Sequence, residues 1–206
     1  MRVEMVKYIV REIFSILIWV AVIFLGTKVF YSYVMEPFVV DGRSMEQTLH
    51  HGERMFMLKL ADVERFDVVV FPAPGGPIPS DQPQKLYIKR VIGLPGDSLS
   101  YENDQLILNG KALEEPYLKA LKEQFTGNFT SDFDIADFSE TGVVPEGQLF
   151  VMGDNRRNSL DGRAFGFIDI EDVIGEANYI HWPLKSIRTL DQYTLTEDGT
   201  DIVERE

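Results

Sequence analysis

The feature that most limits how this chain can fold is a long apolar segment near its N-terminus. Residues 13–34, which begin IFSILIWVAVIFL, contain a single charged side chain, Lys28. As a helix they would extend about 33 Å, enough to cross the roughly 30 Å hydrocarbon core of a bilayer. Lys28, Tyr31 and Tyr33 lie near the far end, where snorkelling and aromatic side chains suit the membrane interface. The sequence therefore predicts a transmembrane anchor over residues 13–34.

Two other interpretations of this segment are a cleavable signal peptide and a buried core helix. A signal peptide has a shorter apolar core that ends at small residues, whereas this segment runs into VFYSYVMEPF. A core helix is typically apolar along one stripe, and this segment is apolar on all sides. Arg2, Lys7 and Arg11 precede it, so the positive-inside rule predicts a cytoplasmic N-terminus at residues 1–12. The remainder of the chain would then lie on the extracytoplasmic face of the cell membrane, after a single span.

The part of the chain that follows the anchor is acidic. The whole chain carries a net charge of −13, although basic side chains outnumber acidic ones in its first 34 residues. No basic stripe is present, which argues against nucleic acid as a partner because phosphate binding needs clustered Lys and Arg. The absence of cysteine excludes disulfides and thiolate zinc sites. No cofactor and no metal are expected.

After Glu36 the sequence predicts mainly β structure, because short apolar runs alternate with Gly and Pro turn signals. The predicted strands lie in EPFVVDG, ERMFMLKL, DVVVFPAP, KLYIKRVIGLPGD, QLILNGK, QLFVMGDN and VIGEANYIHWPL. Residues 73–84 are predicted to form an exposed Pro/Gly-rich loop, and the acidic residues 125–142 a surface excursion. Residues 186–206 form a polar, acidic tail whose composition favours partial disorder.

Ser44 and Lys89 form a candidate catalytic pair. A serine hydroxyl can be activated by a neutral lysine amine in place of histidine, provided that burial or a nearby cation disfavours the ammonium form. Lys89 lies in an apolar run with Arg90 beside it, and lysine is rarely placed inside an apolar strand. From these residues alone, a turn or helix cap stays open for Ser44, and a lysine reaching to the strand edge stays open for Lys89.

Three segments in order after the apolar span resemble bacterial type I signal peptidases, membrane-bound Ser–Lys endopeptidases that remove signal peptides. The nucleophile motif reads GRSMEQTL, the lysine motif YIKRVIGLPGD and the third motif GDNRRNSLDGRAFG. Gln47 stands where the family usually has proline, and Gly162 where it usually has serine. The resemblance covers residues 13 to about 183. It implies a β-rich extracytoplasmic catalytic domain over residues 35–185, with a smaller inserted β region at about 97–145.

The resemblance implies a role for individual residues in the three motifs. Ser44 would be the nucleophile, Lys89 its general base, and Ser159 the hydroxyl that orients the lysine amine. Asp161 and Arg163 would form a structural ion pair near the site. Asp154 and Arg156 would shape the same loop, and no histidine is expected to be catalytic.

The resemblance also implies a shallow cleft that accepts the small side chains preceding a signal-peptide cut, as in A-x-A. Its substrate-binding residues would be Phe38, Val40, Gly42, Leu49, Tyr87 and Ile88, all of which could instead be plain core or loop residues. Some family members carry a serine hydroxyl for the oxyanion at the position of Gly42, so here the Ser44 N–H is the natural first donor. The expected partners are signal peptides of exported preproteins, which could pair with EPFVVDG as an added strand, and the lipid bilayer.

Three other functional classes are possible for such a chain. A self-cleaving regulator of the repressor type also uses Ser–Lys chemistry, but it carries a DNA-binding helix-turn-helix where this chain has its apolar span. An anchored adhesin or pilus-assembly partner would not need the Ser and Lys motifs. An inactive relative acting as an anchored assembly chaperone would have lost Ser44 or Lys89, and both are present.

Overall fold

The first element of the structure is a long, exposed helix. The computed structural model describes residues 2–59, 62–75 and 84–205, so most of the predicted loop at 73–84 falls outside the described residues. Helix α1 (Arg2–Tyr33) contains a segment, Glu4–Tyr33, that is long and apolar enough to cross a membrane. Its apolar side chains are exposed from residue 4 onward, with Trp19 64% exposed. This exposure is inconsistent with a buried core helix.

The rest of the described chain is mainly β, and each of the seven predicted segments contains a strand. Two helices of four residues, α2 (Lys119–Lys122) and α3 (Gly162–Phe165), lie between strands. The strands are β1 (Met35–Val39), β2 (Arg54–Leu58), β3 (Val68–Pro72), β4 (Leu86–Gly93), β5 (Leu99–Glu102), β6 (Gln105–Leu108), β7 (Lys111–Leu113), β8 (Phe133–Asp134), β9 (Gln148–Met152), β10 (Ile168–Asp169), β11 (Gly175–Trp182), β12 (Arg188–Thr189), β13 (Tyr193–Leu195) and β14 (Ile202–Glu204).

Eight strands form the main antiparallel sheet. Their order is β1-β2-β11-β3-β4-β9-β10, and β12 pairs with β11 as well. Strand β3 is central and its Val68–Phe71 run is buried throughout, as a continuous apolar run predicts for a strand covered on both faces. Strand β4 runs beside it, with Lys89 opposite Val69. Strand β1 is an edge strand, which leaves its outer side open to another extended chain.

A second sheet lies within residues 97–145, where the smaller β region is predicted. Its four strands are ordered β7-β6-β5-β8. Asn109 and Gly110 connect β6 to β7 with φ of 52° and 78°, because a two-residue type I′ hairpin needs positive φ at both positions. Tyr101 of this sheet and Phe150 of the main sheet belong to one buried cluster. The two sheets therefore share a core.

The acidic segment 125–142 is more firmly attached than a surface excursion would be. Phe129, Thr130 and Ile135 are buried, and β8 pairs with β5. Most of its acidic side chains remain exposed. Its scattered apolar side chains thus anchor a segment whose overall composition resembles a loop.

The structure corrects the prediction of a partly disordered tail after residue 185. Strand β12 pairs with β11, and β13 pairs with β14 in a hairpin. Leu190, Tyr193 and Ile202 are buried. The prediction failed because composition averages over the segment, whereas three well-placed apolar side chains suffice to hold it against the core.

Candidate active site

Ser44 lies in the loop between β1 and β2, which we call the nucleophile loop (residues 40–53). Buried Met45 and Leu49 fix the turn, and the Leu49 N–H donates to the Met45 carbonyl at 2.8 Å. The Ser44 carbonyl accepts the N–H of Asn155 at 3.0 Å. The nucleophile loop is therefore tied both to the core and to the loop that follows β9.

Lys89 projects from β4 toward the nucleophile loop. Its Nζ lies 2.8 Å from Ser44 Oγ and donates to the Ile88 carbonyl at 2.9 Å. The residue is 3% exposed, so the amine does not reach out to solvent at the strand edge. A hydroxyl within hydrogen-bond reach of an amine is the geometry that general-base catalysis requires.

Burial changes the protonation of this lysine. It lowers the pKa of Lys89 from 10.5 to about 8, against the opposing carboxylates of Asp161 and Asp154 and with help from the nearby Lys85 cation. At a pKa of about 8, roughly a tenth of the amine is neutral near pH 7. The assisting cation is Lys85 and not Arg90, because Arg90 is the next residue on the strand and points to the opposite face.

The loop after β9, residues 153–163, borders the site and is held by Asp161. The carboxylate accepts the Gly153 N–H at 3.0 Å and pairs with Arg163 at 2.9 Å. Burial acts to raise the pKa of Asp161, but the Arg163 guanidinium and the Gly153 N–H outweigh it and leave the pKa below its ordinary value. Asp161 is therefore a fixed anion that orients the loop.

Ser159 lies in this loop, packed against Gly153. Its Oγ is buried and forms no hydrogen bond with another described residue, although it lies near enough to the Asp161 carboxylate to help lower that pKa. A Cβ on Gly153 would overlap the Ser159 Oγ and lie 2.5 Å from the Ser44 carbonyl oxygen. Only glycine fits where the two loops meet, and the predicted role of Ser159 toward the lysine amine stays a prediction.

A buried ion pair behind Ser44 went unrecognised in the sequence. Arg90 and Asp154 pair at 2.7 Å with both side chains 1% exposed, and the Thr48 hydroxyl donates to the same carboxylate at 2.5 Å. The available signal was the placement of one basic and one acidic residue beside strands that are otherwise apolar, since buried charges are usually paired. This pair locks the nucleophile loop to β4.

Arg156 connects the third motif to the second sheet. Its guanidinium forms a fully buried ion pair with Glu115 and donates to the Tyr101 hydroxyl at 2.6 Å. It also donates to the Gly153 carbonyl at 3.1 Å. The inserted sheet thus supports the loop that carries Ser159 and Asp161.

A cleft beside Ser44 and Lys89 contains most of the predicted substrate-binding residues. Its lining includes Phe38, Val40, Gly42, Tyr87 and Ile88. The structure corrects the assignment of Leu49, which is completely buried in the core beneath the nucleophile loop. Its apolar side chain is needed to close the turn after Ser44, so it supports the cleft without lining it.

The histidines occupy other environments. His51 Nδ1 accepts the backbone N–H of Gly42 at 3.3 Å, and the backbone N–H of His50 donates to the Glu53 carboxylate at 2.9 Å. The His181 ring stacks on Phe56 with centroids 4.4 Å apart. Within the described part of the chain, the side chain that forms a hydrogen bond with Ser44 Oγ is Lys89.

Comparison with known proteins points to one family. The sequence model of the family described as signal peptidase, peptidase S26, matches residues 9–182. Signal peptidase I of Bacillus caldolyticus is 40% identical over 158 residues, which are 74% of this chain and 82% of that protein. Signal peptidase IB of Staphylococcus aureus strain COL is 35% identical over 187 residues, or 86% of this chain and 94% of that protein. The crystal structure of signal peptidase I from Enterococcus faecalis V583 aligns with a TM-score of 0.49 and 38% sequence identity. The alignment covers 56% of this chain and 97% of that chain.

Proposed function

The chain belongs to the signal peptidase I family, peptidase S26, and on this basis we propose that Ser44 and Lys89 are the residues with which it cleaves signal peptides. It is a serine endopeptidase. The observation that carries the proposal is the 2.8 Å contact between Ser44 Oγ and the buried Lys89 amine. An inactive assembly chaperone would lack Ser44 or Lys89, and here both side chains are present and in contact.

The proposed reaction begins with proton transfer. Neutral Lys89 takes the proton from Ser44 as its Oγ attacks the scissile carbonyl carbon, and the carbonyl electrons move to oxygen. The resulting ammonium gives its proton to the leaving amine, so the peptide bond breaks and an acyl-enzyme remains. Water then attacks the ester carbonyl while Lys89 accepts its proton, and the proton returns to Ser44 as the signal peptide leaves.

The developing oxyanion needs a donor close to the nucleophile. The Ser44 N–H forms no hydrogen bond with another residue of the described chain, so it is free to donate. Gly42 carries no hydroxyl and its N–H is engaged by His51. Preorganised donors of this kind contribute about 3–4 kcal/mol to transition-state stabilisation.

The proposed substrate lies in the cleft along β1. Apolar side chains such as Phe38, Tyr87 and Ile88 line it, which suits small side chains ahead of the cut. The outer side of β1 is unpaired among the described strands, so an extended peptide has backbone partners there. Ser159 is proposed to steady the amine once substrate has excluded water.

Peptide cleavage tests these assignments. Full-length protein in detergent should cut a peptide carrying A-x-A directly after the second alanine, as read by mass spectrometry. Ser44→Ala should retain the fold by circular dichroism and lose the cut. A folded Ser44→Ala variant with wild-type activity would refute the assignment of the nucleophile.

We further propose that α1 anchors the enzyme in the cell membrane, with the N-terminus in the cytoplasm and the β domain outside. The chain has no cysteine, so single-cysteine variants report on sidedness without background. An impermeant maleimide applied to intact cells should label Glu140→Cys and spare Glu4→Cys. The reverse labelling would contradict the orientation.

A further inference from the structure

The segment from residue 186 to 205, which we call the C-terminal strap, lies beyond the match to the family, which ends at residue 182. The strap contains β12, β13 and β14 and is held to the core by Leu190, Tyr193 and Ile202. We propose that the strap positions the nucleophile loop for catalysis through Arg188. This inference rests on the proposed role of Ser44, but it concerns a segment that has no part in the reaction proposed above.

The Arg188 guanidinium binds two residues of the nucleophile loop. Nη2 donates to the Thr48 carbonyl at 2.9 Å, and Nη1 pairs with Glu53 Oε1 at 3.1 Å. The other carboxylate oxygen of Glu53 accepts the His50 N–H at 2.9 Å. The Glu53 side chain is 4% exposed and the Arg188 side chain 38% exposed, so the carboxylate end of this ion pair is shielded from solvent while the guanidinium is partly open to it.

Thr48 is held from both sides as a result. Its carbonyl is bound by the strap, and its hydroxyl is bound by Asp154, which pairs with Arg90. The Arg90 guanidinium in turn lies 5.6 Å from the ring centroid of Tyr193 in the strap. The strap therefore reaches the nucleophile loop directly through Arg188 and indirectly through Tyr193 and Arg90.

The position of this loop matters because the reaction depends on where Ser44 Oγ lies relative to Lys89 Nζ. Small displacements of a reacting atom carry large rate penalties. Arg188 has no contact with the reacting atoms, so it is a positioning residue. It is also absent from the groups that set the pKa of Lys89, so its loss should slow the reaction without moving the pH at which the base becomes active.

The test is a set of arginine substitutions in the full-length protein, assayed on a peptide carrying A-x-A. Arg188→Met should lower kcat about tenfold or more, about 1.4 kcal/mol or more in barrier terms. KM should stay within about twofold and the pH midpoint of kcat/KM should be unchanged. Arg188→Lys should recover part of the lost kcat, because an ammonium can bind one of the two partners but lacks the planar fork.

Arg205→Met is the matched control. Arg205 lies in the same strap but pairs with Glu64 and Asp67 instead of the nucleophile loop. It should change thermal stability while leaving kcat within about twofold. If general loosening of the strap were the cause, Arg205→Met would lower kcat as Arg188→Met does. Wild-type kcat in folded Arg188→Met, or an equal loss of kcat in Arg205→Met, would overturn the proposal.

The assignment of Ser44 as the nucleophile and the role of the strap can be refuted separately. If Ser44→Ala is inactive while Arg188→Met and Arg188→Lys both have wild-type kcat, only the role of the strap is refuted. If Ser44→Ala is active, the assignment of the nucleophile falls and the strap proposal falls with it.

Discussion

Replacing Lys89 by methionine should abolish activity and make the protein more stable. The side chain is 3% exposed and burial lowers its pKa from 10.5 to about 8. At about 1.4 kcal/mol for each pH unit, holding the ammonium inside the fold costs about 3 kcal/mol. Methionine removes this cost, but it leaves the Ile88 carbonyl without its hydrogen bond, which reduces the gain in stability by about 1 kcal/mol. We expect a net gain of about 2 kcal/mol in the free energy of unfolding near neutral pH.

The gain should depend on pH in a specific direction. The folded-state pKa of Lys89, about 8, lies below its ordinary value of 10.5. Between these values the unfolded chain binds more protons, so the wild type becomes more stable as pH rises. The advantage of Lys89→Met should therefore be full below the folded-state pKa and shrink as pH rises toward the unfolded-state value.

Urea unfolding of the full-length protein in detergent, followed by circular dichroism across this pH range, measures the effect. Lys119→Met is the matched control, because it removes the same charge from an exposed residue in α2 that is not among the groups shifting the Lys89 pKa, and it should give no gain. Equal stability of Lys89→Met and wild type near neutral pH would refute the reasoning, as would a gain that does not change with pH.

Three further predictions concern the surroundings of the pair. Replacing all three histidines by glutamine should leave kcat/KM within about threefold, and a loss above about a hundredfold would show that one of them is catalytic. Asp154→Asn should lower the free energy of unfolding by about 3–5 kcal/mol because it leaves Arg90 buried without its counter-charge; a change below about 1 kcal/mol in urea unfolding would contradict this. Gly153→Ala should reduce kcat strongly while the protein still folds, because the added methyl group displaces Ser159 or the Ser44 carbonyl, and unchanged kcat would show that the loops can separate freely.

The parts of the site that were predictable are those in which local sequence determines the environment. Lys89 lies in a run of apolar residues, which left two possibilities, a buried amine with a lowered pKa or a side chain that reaches the strand edge, and the motif resemblance favoured the first. The alternation of a strand also places Lys89 and Arg90 on opposite faces. Proximity in sequence suggests Arg90 as the cation beside the lysine, but the strand period assigns that position to a residue an even number of places away, such as Lys85.

The parts that were not predictable depend on segments that meet only in the folded chain. Arg188 binds the Thr48 carbonyl although the two residues are 140 positions apart. That contact exists because β12 pairs with β11, and a polar composition carries no information about such a pairing. Leu49 illustrates a related limit, since an apolar residue near a nucleophile can line a cleft or fill the core, and only packing decides between them.

The most direct test of the central claim is the pH dependence of covalent labelling at Ser44 by a serine-reactive acylating reagent. Peptide mass spectrometry identifies the labelled residue, and the rate is compared between wild type and Lys89→Met. We predict that Ser44 alone is labelled, that the wild-type rate rises with a midpoint near the Lys89 pKa of about 8, and that Lys89→Met reacts at least about a hundredfold more slowly, without that midpoint. Labelling at another serine, or an unchanged midpoint in Lys89→Met, would contradict the account.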